Sequence, residues 1–125
     1  MKLKRVGFFR ELRHGLPNDP SLCEAVTESK PPYDVSRVVA YLQKGTLFVA
    51  SPGIVRDVLK EGGPIIGAPH IRSDGVWAWP SDFAYYVTHY QVALPQDFVD
   101  HMERNGWQPP SEEVIRLETL EMDEE

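Results

Sequence analysis

The sequence predicts an α+β domain, a small mixed or antiparallel sheet packed by several short helices. Three observations predict it. Segments with helical three-and-four spacing interleave with short apolar runs of strand length. Eleven prolines and nine glycines fall at the joints between these segments, marking short elements and abrupt turns. The 125 residues suit one domain of the commonest size, and no repeat or long linker divides them. Residues 1–110 read as one globular domain and 111–125 as an acidic C-terminal element.

The elements follow in order. Val6-Gly7-Phe8-Phe9, flanked by charges, reads as an opening strand. Asn18-Asp19-Pro20 starts a short helix over residues 21–28, with Pro20 in the first turn. Asp34 then caps a stronger helix, whose Val35, Val38, Val39 and Leu42 make one apolar face before Gly45 stops it. Residues 46–50 are a continuous β-leaning run, expected as a buried strand. Ser51-Pro52 reopens a helix with Ile54, Val55, Val58 and Leu59 on one side and Gly62-Gly63 at its end. Ile65-Ile66 and residues 76–79 read as strands, the second entered through a Ser73-Asp74-Gly75 turn. Ser81 caps a helix to Tyr90, and a last helix runs from Asp97 to Arg104 before Asn105-Gly106. Beyond Ser111, Val114, Leu117 and Leu120 fit a helix, whereas Ile115, Leu117 and Thr119 fit a strand.

Charge narrows the function. The net charge is −6, and residues 111–125 alone hold seven acids against Arg116, so residues 1–110 are neutral. Five basic residues stand in the first fourteen, most simply as the outward side of a strand. A surface that tracks phosphates needs clustered Lys and Arg, so nucleic acid is not the expected ligand. One cysteine, Cys23, forms no internal disulfide. No apolar run approaches the ~20 residues that span a bilayer, and none of the first residues reads as a secretory leader. A cytoplasmic protein without membrane contact is expected.

Catalytic signatures are weak. No Gly-x-Ser-x-Gly elbow occurs. The glycine-rich stretch at 62–67 is followed by Ala68 and Pro69 where a phosphate loop needs Lys and Ser or Thr, so it reads as a turn. His14, His70, His89, His101 and Cys23 lack metal-ligand spacing, and no metal or other cofactor is expected. Asp74 and Asp82 flank an aromatic segment as a carboxylate pair would. Local structure accounts for both, Asp74 in an Asp-Gly turn and Asp82 at a helix start.

Six of the thirteen aromatics fall between Trp77 and Tyr90. Strand alternation puts Trp77 and Trp79 on one face, and Phe83, Tyr86 and Tyr90 share a helical stripe that leaves Tyr85 to one side. Most of these rings are expected in the core, with one or two left for a partner, since Trp and Tyr carry interface energy well.

Residues Tyr41-Leu42, Pro52-Gly53-Ile54-Val55-Arg56-Asp57 and the stretch 74–87, with its Trp77-Ala78-Trp79-Pro80-Ser81-Asp82 pattern, then Leu94-Pro95 and Phe98, carry a resemblance over about residues 40–100. The chain resembles small bacterial immunity-type proteins of polymorphic toxin systems. The resemblance implies a cofactor-free α+β protein that binds and neutralises one cognate toxin domain. The expected partner is a protein with a basic surface, contacted by Asp74, Asp82 and the tail acids Glu112, Glu113, Glu118 and Glu121, with Trp77, Trp79 and Tyr85 as anchors. Two other readings stand beside it. One is a small enzyme or ligand-binding protein with an aromatic-lined pocket, using Asp74, Asp82 or His89. The other is a structural or oligomerising subunit.

Overall fold

A computed structural model describes residues 2–27, 31–110 and 121–122. Four strands of one mixed sheet and the helices packed on it make the α+β architecture, with a fifth strand added at one edge. Strand β1 (Lys2–Arg5) leads to helix α1 (Leu22–Ala25) and helix α2 (Val35–Lys44). Strands β2 (Thr46–Val49), β3 (Val55–Arg56), β4 (Ile65–Gly67), β5 (Ile71–Ser73) and β6 (Trp77–Pro80) follow. Helices α3 (Phe83–His89) and α4 (Gln96–Arg104) and strand β7 (Glu121–Met122) complete the order. The main sheet runs β2-β5-β6-β1-β7, and β3 with β4 forms a separate two-stranded sheet. β2, β5 and β6 are antiparallel neighbours, while β1 lies parallel to both β6 and β7.

The opening strand sits earlier than the sequence pattern places it, at 2–5 rather than 6–9. Gly7 is the reason: it has φ +74°, and a Cβ there would run into the Phe83 ring. A left-handed glycine under an aromatic ring ends the strand. Phe8 and Phe9 are nevertheless buried, Phe9 against Phe83 with ring centroids 6.1 Å apart.

The short first helix is capped from a distance. Ser21 occupies the N-cap position but its side chain does not cap; its hydroxyl donates to Glu11 at 2.9 Å. The Glu11 carboxylate accepts from Leu22 N at 2.8 Å and Cys23 N at 3.1 Å. Partial burial works to raise the Glu11 pKa, but these three donors outweigh it and hold the group at about 2, against 4.5 ordinarily. A depressed carboxylate stabilises the fold above its unfolded pKa, and that contribution is lost as pH falls from about 4.5 to about 2. Glu11→Gln is expected to cost about 1–2 kcal/mol at neutral pH, typical of a lost cap. The wild-type and variant unfolding free energies should converge in urea titrations as pH is lowered through that window.

Helix α2 is as the sequence indicates. Asp34 accepts from Ser36 N and Arg37 N at its start, and Gly45 closes it. Its buried face is Val38, Tyr41 and Leu42. Helix α4 buries Phe98 and Met102. Between them lies Trp79, fully buried, with ring centroids 5.9 Å from both Tyr41 and Phe98, and its Nε1–H donates to Leu42 O at 3.0 Å. Trp77 packs on Phe98 at 5.0 Å. This face of the sheet therefore meets the helices. On the other face Leu3, Ile71 and Ala78, with Phe8, form a second small cluster.

β2 is an edge strand rather than the buried strand its unbroken apolar run predicts. Leu47 and Val49 are exposed, at 41 % and 36 %. A strand buried on both faces needs layers above and below it, and β2 stands at the end of the strand order.

Candidate partner-binding surface

Strands β2 and β5 pair as antiparallel neighbours, yet 21 residues, 50–70, separate them. That connection carries a small sheet of its own, β3 paired with β4. Its base is closed by Ser51 N donating to His70 Nδ1 at 2.9 Å, and by Ser81, whose hydroxyl donates to Ala68 O at 2.6 Å while accepting from His70 N at 3.0 Å. That use of Ser81 explains why it does not cap α3. Asp82 takes the N-cap position, with no side-chain cap bond.

The excursion is a β3–β4 hairpin where the spacing of Ile54, Val55, Val58 and Leu59 predicts a helix. Tertiary hydrogen bonds decide the matter. Asp57 Oδ1 accepts from Leu59 N at 2.8 Å, turning the chain locally. Its Oδ2 accepts from Tyr85 Oη at 2.8 Å and Tyr90 Oη at 2.6 Å, both projecting from α3 and its end. Tyr86 adds a third tie, accepting from Val58 N at 3.0 Å. The tyrosine hydroxyls thus clamp the hairpin to the helix.

The electrostatics match this clamp. Burial pushes the Asp57 carboxyl up, but the Tyr90, Leu59 and Tyr85 donors more than reverse it, and its pKa falls below the ordinary range. Burial raises Tyr86 to about 12, and Tyr85 is raised chiefly by its hydrogen bond to Asp57. Tyr90 is raised by burial and by its hydrogen bond to Asp57, so all three hydroxyls remain protonated at neutral pH. Asp57→Ala should remove the acceptor shared by three donors and cost about 2–3 kcal/mol. Hydrogen exchange is expected to accelerate at residues 55–67 well before it does in α2, because the hairpin opens locally.

What the clamp presents is apolar. Among the described residues, the exposed large apolar side chains are Leu47, Val49, Ile54, Val58 and Ile65, at 36–55 % exposure. All five lie on β2 or the excursion. Ile66, next to Ile65, lines a cleft of about 320 Å³ together with Gln43, Ser81, Ala84, Tyr85, Thr88 and His89. Tyr85 and His89 meet in its wall with ring centroids 4.4 Å apart and planes tilted by 40°. β4 therefore turns Ile65 to solvent and Ile66 into the cleft.

Most of the residues expected to touch a partner lie elsewhere. Trp77 and Trp79 are 5 % and 0 % exposed, held in the core by Phe98 and Tyr41, and cannot serve as surface anchors. Asp74 and Asp82 are 2 % and 3 % exposed and offer no charge to a partner. Burial raises the Asp82 pKa, only partly offset by its own backbone N–H and the charge of His14. Tyr85 alone reaches the candidate surface, half-buried in the cleft wall. Glu112, Glu113 and Glu118 lie outside the described residues. Glu121 lies in β7, its backbone beside Lys2.

Asp74 has a structural role in place of the surface one. Its Oδ1 accepts from Val76 N at 2.9 Å and Trp77 N at 2.7 Å, the turn bonds its sequence setting predicts. Its Oδ2 accepts from Tyr41 Oη at 2.6 Å and lies 3.0 Å from His101 Nε2. Asn105 Nδ2 donates to Tyr41 Oη at 2.9 Å. Every lone-pair direction of the carboxylate is thereby occupied, and the group ties α2, α4 and the β5–β6 turn together. Among the described residues, no three His, Cys, Asp or Glu side chains gather as metal ligands would.

Sequence reasoning passes over Asp57 and the five exposed apolar residues. The bracketing Ser51-Pro52-Gly53 and Gly62-Gly63-Pro64 was the available signal, since breakers at both ends favour a looped excursion over a helix. No family model, curated protein or solved structure matches this chain. Among the described residues, no helix is long and apolar enough to cross a membrane.

Proposed function

We propose that this protein is a non-catalytic binder of immunity or inhibitor type, which occludes one cognate protein partner, the bacterial toxin domain that its sequence resemblance implies. One observation carries the reading: Leu47, Val49, Ile54, Val58 and Ile65 all fall within nineteen consecutive residues, on an edge strand and a clamped hairpin. Water-exposed apolar side chains concentrated in this way mark interaction surfaces more than they mark stability. The cleft beside Tyr85 supports the same reading, as a socket for one large partner side chain, at the low end of pocket sizes.

The expectation of a basic partner now rests on the tail, since Asp74 and Asp82 are internal. The test is direct. The protein is purified with the product of the gene adjacent to its own, and complex formation is followed by size exclusion and calorimetry. The double variant Ile54→Glu/Ile65→Glu should keep its circular dichroism spectrum and weaken the complex about a hundredfold, as loss of two central anchors does. If the wild-type protein forms no complex with that product, the reading fails.

A further inference from the structure

The outer edge of β2 has no strand beside it among the described residues, because β2 ends the order β2-β5-β6-β1-β7. Natural edge strands are usually protected by lysine, proline, inward charges or bulges. Thr46-Leu47-Phe48-Val49 contains no charge and no proline, and two of its four side chains are exposed. A bulge between Leu47 and Val49 is its one interruption, which limits an added strand to a few residue pairs.

The surroundings carry a sign. Lys44, two residues before Thr46, is exposed, and half-buried Arg72 donates through its guanidinium to Gly45 O at 2.9 Å, at the start of the strand. Arg72 stands directly opposite Leu47 in the sheet register, so its charge flanks the same face. Asp57 is buried and engaged by two tyrosines. The edge is therefore apolar with a cationic rim at its Thr46 end, Lys44 and Arg72, the reverse of the chain's net charge. A second copy pairing here by two-fold symmetry would bring like charges together. Of the chain's own acidic end, Glu121 lies at the opposite edge of the sheet, where β7 pairs with β1.

We infer that the partner adds an extended, acidic segment with alternating apolar side chains as a strand on the free edge of β2. Main-chain hydrogen bonds to β2 supply affinity, and contacts with Leu47 and Val49 together with the cationic rim supply selection. The inference rests on the proposed binding function and specifies its mode: whatever the charge of the rest of the partner, the segment seated here is acidic.

The probe is a blocked peptide of alternating valine and threonine with aspartate at both ends, compared with its lysine-ended counterpart. At millimolar peptide, amide exchange at residues 46–49 should slow, and the lysine-ended peptide should bind about tenfold or more weakly, a difference that shrinks in high salt. Val49→Lys, a change that edge strands tolerate, should abolish the protection while leaving the near-ultraviolet spectrum intact. Unchanged exchange at 46–49, or equal binding of both peptides, overturns the inference. Protection at 46–49 that grows with protein concentration alone, with dimer in sedimentation velocity, also overturns it in favour of a second copy. A complex with the adjacent gene's product that needs Ile54 and Ile65 but leaves the β2 amides unprotected sinks strand addition alone and leaves the binding function standing.

Discussion

Replacing Trp79 with alanine is expected to lower the unfolding free energy by about 3–5 kcal/mol, the upper range for a large buried side chain. The indole is wholly buried between Tyr41 of α2 and Phe98 of α4. Its removal leaves a cavity that two helices cannot both close upon, and strips Leu42 O of its donor. Domains of this size are stable by about 5–15 kcal/mol, so the variant should sit close to its unfolding midpoint under mild conditions. Trp79→Phe keeps most of the ring contacts, and its loss should be markedly smaller. Urea unfolding followed by far-ultraviolet circular dichroism distinguishes them. Near-equal midpoints for wild type and Trp79→Ala would contradict the packing described.

Asp74→Ala is expected to cost a similar amount, about 3–5 kcal/mol, for a different reason. One carboxylate serves Tyr41, His101 and the N–H groups of Val76 and Trp77. Truncation leaves buried donors without an acceptor, which is dearer than the net worth of the bonds themselves. Asp74→Asn keeps one carbonyl oxygen for the turn, and Tyr41 and His101 can each accept from its amide. It should cost only about 1–2 kcal/mol. If alanine and asparagine prove equally damaging, the charge itself, not the count of acceptors, holds the turn.

The parts legible in the sequence are those governed by local chemistry. Asp34 and Gly45 delimit α2 because capping and stopping are short-range effects. The Asp74-Gly75 turn forms through bonds two and three residues away. Trp77 and Trp79 face the core as strand alternation requires. The misread parts depend on distant residues. Ile54, Val55, Val58 and Leu59 imitate a helical stripe, yet Asp57 among them is fixed by tyrosines about thirty positions on. β2 reads as buried because an apolar run does not reveal whether a neighbouring strand exists. The candidate surface is hidden in the sequence for the same reason: exposure belongs to the assembled fold, whereas the aromatic segment 77–90 supplies mostly core, with Tyr85 in the cleft wall.

The parallel pairing of β1 with β6 bears on how the chain reaches this state. β2, β5 and β6 can meander together from nearby sequence, but Lys4 meets Trp77, 73 positions further along. Contacts of such separation carry a large loop-closure penalty and slow the search. In any state in which β1 has not yet paired, the inner edge of β6 is as open as the outer edge of β2. Pairing with β1 closes the first of these edges, while among the described residues β2 stays without an outer neighbour.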